Sequence, residues 1–318
     1  MPDVLVITGP VYLTILIGYL AVHAGAFSPK AVSALGTLAV DFALPAMVFG
    51  SLADRHIGDV LSAPYLLGYS AASLMVGGLV FVLARHAGRR DRAASACYAM
   101  GSVSSNSAFI GFPVLLVALP KVAGTALAIN VIVENLVVMP LFLLLAESGR
   151  EPATGGLGMV ARSLRRVLSR PLIIGLLAGV AVSLLELDLP PVLDRTVDLI
   201  GRASAFLSLF FVGGTLACIH LGRLLREVGL MAAVKLAVHP LAVWLALAIV
   251  STTGLGTLEP ELRLAAVLMA AMPVMSMYPV IAQRFGQQDV AATALLSTTA
   301  GSVLTLNLLL WWSAGHLP

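Results

Sequence analysis

Two carboxylates and one amine stand inside apolar runs, where such groups are expensive. Asp41 lies four residues before Pro45, Glu134 lies beside Asn135, and Lys235 lies one turn before His239-Pro240. A charged side chain at the centre of a bilayer costs roughly 2.5–3.5 kcal/mol on insertion scales, so each must face a partner or a wet cavity. Either carboxylate could carry a proton whose binding is linked to that of a solute. Equally, Asp41 could satisfy backbone groups freed by Pro45, and Glu134 could be a structural polar contact. Lys235 could lend positive charge to a pocket, or snorkel to the interface from a position close to the end of its run. Cys97 and Cys218 are far apart with no CxxC spacing and no clustered His, so no metal, cofactor or catalytic cluster is indicated.

A second set of residues concerns the backbone. Gly101-Ser-Val-Ser104-Ser105-Asn106-Ser107-Ala-Phe-Ile-Gly111-Phe-Pro113 and Met272-Pro273-Val-Met-Ser276-Met-Tyr278-Pro279 interrupt two apolar runs. Proline removes a donor and blocks the carbonyl four residues back, and glycine relaxes the chain. Peptide groups freed in this way deep in hydrocarbon are tolerated only when buried in protein or lining a cavity. If the two breaks cross, half-helix N-termini aim positive dipole ends at the crossing and freed carbonyls offer a cation site. The candidate solute-binding residues are therefore Ser104, Ser105, Asn106, Ser107, Gly111, Pro113, Pro273, Ser276, Tyr278 and Pro279. The bland alternative is a pair of ordinary proline kinks. Met272, Met275 and Met277 could give a soft lining, although methionine in an apolar helix is usually packing.

What must position these residues is a set of membrane helices. The 318-residue chain is 59% hydrophobic and 11% charged, with mean hydropathy +0.99; a soluble domain carries about 25% charge. Its apolar blocks have the length of about 20 residues that a helix needs to cross a bilayer. They place spans at 4–24, 31–53, 64–84, 93–118, 122–146, 171–187, 199–221, 229–251, 262–283 and 289–313. The seventh is the least regular, with Arg202 just inside its start. His220 and the pair Trp311-Trp312 read as interfacial. No Lys or Arg occurs in the first 29 residues, so the first block reads as a span rather than a cleaved signal.

Thirteen Lys and Arg fall in the loops after spans 1, 3, 5, 7 and 9, against four (Arg55, Lys121, Arg195, Arg263) on the other side. The positive-inside rule puts the first set in the cytoplasm and both termini outside. Topology thus explains the net charge of +3 without nucleic acid. A Gly- and Arg-rich linker at 147–170 separates residues 1–146 from 171–318, with five spans in each part. Five is odd, so the second part enters the membrane upside down, the inverted-repeat plan of many transporters. A shift of about 167 residues lays the first break near the second, the only internal similarity beyond the topology.

Asp41-Phe-Ala-Leu-Pro45, Asn106-Ser-Ala-Phe-Ile-Gly-Phe-Pro113, Lys235-Leu-Ala-Val-His-Pro240 and Arg284-Phe-Gly286 resemble elements of the auxin efflux carrier family, and the resemblance covers essentially the whole chain. That family looks like a branch of the bile-acid transporter superfamily. The resemblance implies an all-α membrane fold of ten helices in two inverted five-helix repeats, with broken helices 4 and 9 crossing and a scaffold and a transport domain each drawn from both repeats. Asn106, Pro113, Pro273 and Pro279 would then sit at the crossing beside the substrate. Bacterial members carry malonate or other small carboxylates, and the Asp41–Pro45 element is similar to that of the malonate carriers. Sodium-coupled relatives place a carboxylate near the second break, whereas Ala270–Pro279 contains none; protons through Asp41 or Glu134, or no coupling ion, stay open. The expectation is a multi-pass carrier of small organic anions in a bacterial inner membrane, working by elevator-type alternating access, with a homodimer as a candidate assembly. The alternatives are a receptor or scaffold that binds a metabolite without moving it, and a lipid-modifying enzyme, whose clustered catalytic groups are missing.

Overall fold

Proline opens many of the helices, as its fixed φ and missing N–H suit the first turn. The computed structural model describes residues 4–53, 62–148, 165, 168–219, 225–254 and 256–314. Its elements are α1 (Val4–His23), α2 (Pro29–Ala53), α3 (Ala63–His86), the broken pair α4a (Arg92–Val103) and α4b (Ser107–Ala118), α5 (Pro120–Glu147), α6 (Pro171–Leu184), α7 (Pro191–Ala217), α8 (Glu227–Val250), the broken pair α9a (Pro260–Ala271) and α9b (Tyr278–Gln283), and α10 (Gln288–Ala314). Side-chain caps add to the prolines. Ser28 Oγ accepts from Ala31 N at 3.2 Å, and Asp91 Oδ1 accepts from Ala94 N at 2.7 Å.

Among the described residues there is no strand, only one isolated antiparallel bridge. Among the described residues, seven helices (α1, α2, α3, α5, α7, α8 and α10) are long and apolar enough to cross a membrane, and α4b and α6 are shorter apolar helices. Two sequence expectations shift. The seventh span starts at Pro191, not 199, because Asp194, Asp198 and Arg202 are carried on an exposed first half where Arg202 Nε donates to Asp198 Oδ1 at 3.0 Å. The sixth stops at Leu184, where the chain turns through Glu186 at positive φ. The linker expected at 147–170 lies for its greater part outside the described residues, as does His220.

Among the described residues, four helices widen into π turns, a feature the sequence does not announce. The turns span Ala39–Ala43, Ser107–Gly111, Val133–Val138 and Val234–Val238, and each stops two residues before a proline: Pro45, Pro113, Pro140 and Pro240. The physical cause is common to all four. A proline ring clashes with the carbonyl four residues back, so the N–H groups just before it reach five residues back instead and the helix bulges. Leu44 N donates to Ala39 O, Phe112 N to Ser107 O, Met139 N to Glu134 O and His239 N to Val234 O. Asp41, Ser107, Glu134 and Lys235 all lie on these turns.

Helix packing separates into two groups. α1, α2, α6 and α7 pack on one another, while α3, α4a, α5, α8, α9a, α9b and α10 form the larger body; α4b and α1 bridge them. Glycine permits the closest approach in the smaller group. A Cβ on Gly213 would collide with Ile15 O, and one on Gly18 with Phe210 O, so the α1 and α7 backbones touch. The Phe109 and Phe211 rings, 5.3 Å apart, join α4b to α7.

Candidate functional site

The site begins where α4a ends. Ser104 turns extended (φ −78°, ψ 123°), and Met272 does the same at the end of α9a (φ −61°, ψ 151°). The two extended segments cross and pair: Asn106 N donates to Pro273 O at 2.8 Å, and Ser105 forms an antiparallel bridge with Val274. The breaks therefore satisfy each other, as the cost of bare peptide groups away from water demands. Asn106 Nδ2 donates to Ser276 Oγ at 2.7 Å, and Val274 N donates to Thr298 Oγ1 at 3.1 Å, which ties α10 to the crossing.

Two buried ionisable side chains flank this crossing. Glu134 Oε1 accepts from Ser105 N at 3.0 Å and from Ser107 Oγ at 2.9 Å. On the other side Lys235 Nζ donates to Ser105 Oγ at 3.0 Å and to Ala270 O at 2.6 Å. Lys235 is 0% exposed, which overturns the snorkelling alternative: the π turn before Pro240 points it into the protein. Tyr69 OH lies 3.2 Å from Ser105 Oγ, His239 Nε2 lies 2.9 Å from Ser73 Oγ, and Asn130 Nδ2 donates to Tyr65 OH at 2.6 Å, extending a polar network through α3, α5 and α8.

A cavity of about 390 Å³ opens beside the crossing. Ser105, Asn106, Ser107, Ala108 and Glu134 line it, together with Asp41 and Leu44 of α2, Met275 and Met277 of the second break, and Asn135, Arg170, Pro171 and Arg284. Asp41 is exposed to this space, and Pro45 is accommodated by the π turn. Of the sequence-derived candidates, Ser105, Asn106 and Ser107 line it, whereas Ser104, Gly111, Pro113, Pro273, Ser276, Tyr278 and Pro279 do not. Tyr278 OH instead donates to Cys97 O at 2.8 Å, and Gly111 faces the Met269 sulfur. Met272 is buried, and Met275 and Met277 belong to the wall.

Two cavity residues escaped the sequence reading because topology already explained them. Arg170 Nη1 donates to Asn135 Oδ1 at 2.8 Å, and Arg284 closes α9b. Partial burial first, and the neighbouring Arg284 charge second, press Arg170 below the usual arginine range. Two guanidinium groups close enough to repel present an anion with two partners. One buried acceptor stays unmet at the crossing: Asn106 Oδ1 has no hydrogen-bond partner, and neither has Ser104 Oγ.

The family described as "Membrane transport protein" matches residues 4–155 and 156–310. The chain belongs to this family. A "Putative malonate transporter" of Rhizobium meliloti (strain 1021) is 30% identical over 315 residues, covering 97% of this chain and 96% of the relative. The "Uncharacterized transporter YfdV" of Escherichia coli (strain K12) is 26% identical over 313 residues, 96% of each chain. Similarity of that extent runs through both breaks and the helices that carry Glu134 and Lys235. The auxin efflux carrier resemblance therefore holds for the whole membrane transport protein, not only for its motifs.

Proposed function

We propose that this membrane transport protein is a secondary carrier of small organic anions, dicarboxylates of malonate's size among them, and that the cavity beside the crossing binds them. The carrying observation is the cavity's polarity. Asn106 and the first N–H groups of α4b border one part of the cavity, and Arg170 and Arg284 another. Helix N-terminal N–H groups and guanidinium groups both favour carboxylates. A dicarboxylate can engage both at once. The malonate named for the 30% identical relative fits this chemistry.

Alternating access then follows from the two packing groups. In this reading α1, α2, α6 and α7 form the scaffold, and the body built around the crossing moves past it in an elevator stroke. Ten spans arise when α4a with α4b, α6, and α9a with α9b are counted beside the seven long helices. The family matches divide the chain at 155/156, inside the expected linker, which supports two repeats of inverted orientation. The basic loops then lie in the cytoplasm of a bacterial inner membrane, with both termini outside, and the arginine part of the cavity faces inward. Asp41, exposed in the cavity, is the candidate for proton coupling.

Reconstitution tests the reading. Purified protein in liposomes should take up radiolabelled malonate saturably, with competition by other short dicarboxylates and weaker competition by monocarboxylates. Binding without flux would make the protein a receptor, and no response to any carboxylate would remove the proposal.

A further inference from the structure

We propose that the Lys235 ammonium is a tethered cation: it occupies the place at the crossing that a free coupling metal ion would take, so the broken helices are held together without sodium. The transport consequence rests on the carrier reading above; the binding arrangement stands without it.

The argument starts from Ala270. In an unbroken helix its carbonyl would accept the N–H of residue 274. Val274 N instead donates to Thr298 Oγ1 at 3.1 Å, and Pro273 has no N–H to offer. The break thus strands the Ala270 oxygen in the protein interior, where an unmet acceptor is costly. Lys235 Nζ fills that vacancy at 2.6 Å, and at 3.0 Å it also reaches Ser105 Oγ on the other broken helix. One ammonium therefore bonds an oxygen from each break. A freed carbonyl and a hydroxyl from crossing helices are the kind of oxygen ligands that a hard cation takes.

Charge leads to the same assignment. Glu134 approaches Ser105 from the opposite side, through the Ser105 N–H at 3.0 Å. A buried carboxyl and a buried amine thus share one residue of the crossing. A sodium ion added there would stand against the ammonium, and in a site with little water that repulsion is large. With Lys235 in place the cation position is taken; without it, the Ala270 carbonyl and the Ser105 hydroxyl lose the donor they share. Sequence position hid this role, since Lys235 lies close to the start of α8. The π turn before Pro240 brings it to the crossing.

Thermal unfolding of the purified full-length protein, free of solute, tests the tether separately from transport. The wild-type midpoint should be the same in sodium, potassium and choline chloride at equal ionic strength. Lys235→Ala should unfold several degrees lower in choline, and methylammonium chloride should restore much of the loss where tetramethylammonium, too large for the vacancy, does not. Lys235→Arg, which keeps the charge, should fall between. A wild-type midpoint that rises specifically with sodium, a Lys235→Ala protein as stable as wild type in choline, or one that methylammonium does not restore overturns the proposal. Should Lys235→Ala fail to fold, the wild-type comparison decides alone. In liposomes, uptake should proceed equally in sodium and choline; loss of uptake in both, with cation-independent stability retained, would sink the carrier reading and leave the tether standing.

Discussion

Asn106 meets the opposite break through its backbone and Ser276 through its amide, yet one amide atom remains buried and unmet. That atom is an acceptor, which a carboxylate cannot meet, so what Asn106 offers an anion is its place in the cavity wall at the start of α4b. Asn106→Ala should therefore abolish the rise in unfolding temperature that malonate-like ligands produce, while the ligand-free protein still folds; an unchanged ligand shift would move the binding site elsewhere. Glu134 has a different task. It accepts two hydrogen bonds at the crossing, from Ser105 N and Ser107 Oγ. Glu134→Ala leaves two buried donors unmet at about 1–3 kcal/mol each. Glu134→Gln keeps an acceptor oxygen and should cost visibly less. Thermal or denaturant unfolding of both variants in detergent checks the order, and equal losses would show that charge rather than hydrogen bonding is what Glu134 supplies.

Helices set the direction in which these side chains point. The π turn before each of Pro45, Pro113, Pro140 and Pro240 adds a residue to a turn and so rotates everything before it relative to a regular helix. Asp41, Ser107, Glu134 and Lys235 owe their orientation to this rotation. The smaller helix group depends on the reverse of bulging, namely close contact. Gly213→Ala would drive a methyl group against the Ile15 carbonyl and should cost about 1–3 kcal/mol by forcing α1 from α7. Gly9→Ala, on the same helix α1 with nothing within 4 Å of the new Cβ, should be neutral. A comparison of the two unfolding midpoints checks this, and a neutral Gly213→Ala would mean that α1 and α7 yield without cost.

The molecule as a whole is two helix groups, with the crossing inside the larger one, and its orientation in the membrane is open to direct measurement. His86 at the end of α3 and Asp188 between α6 and α7 are both exposed, and they belong to loops on opposite sides in the positive-inside assignment. In a background with Cys97 and Cys218 replaced by Ala, a membrane-impermeant maleimide applied to intact cells should label Asp188→Cys and spare His86→Cys. The opposite pattern would invert the assignment and turn the arginine part of the cavity outward.

Much of this was legible in the residues themselves. Apolar blocks of membrane-crossing length, prolines at helix starts and two runs too broken for regular helices follow from local rules of hydrophobic length and backbone donors, and these rules need no knowledge of neighbours. The crossing of the two breaks stood in the sequence only as a condition and as what the family resemblance implies; the Asn106 N to Pro273 O bond is what pairs them. Other features required the fold. Lys235 and Arg170 looked like residues at helix ends near water, and only packing shows that one is sealed against Ala270 and Ser105 while the other lines the cavity with Arg284. Tyr278 and Pro279 looked like ligands, but Tyr278 turns to Cys97 and Pro279 stays out of the cavity wall. The reason is physical: the number and place of unmet backbone groups is a local property of the chain, whereas the side chain that meets them arrives from another helix, as Lys235 does for the Ala270 carbonyl 35 residues on.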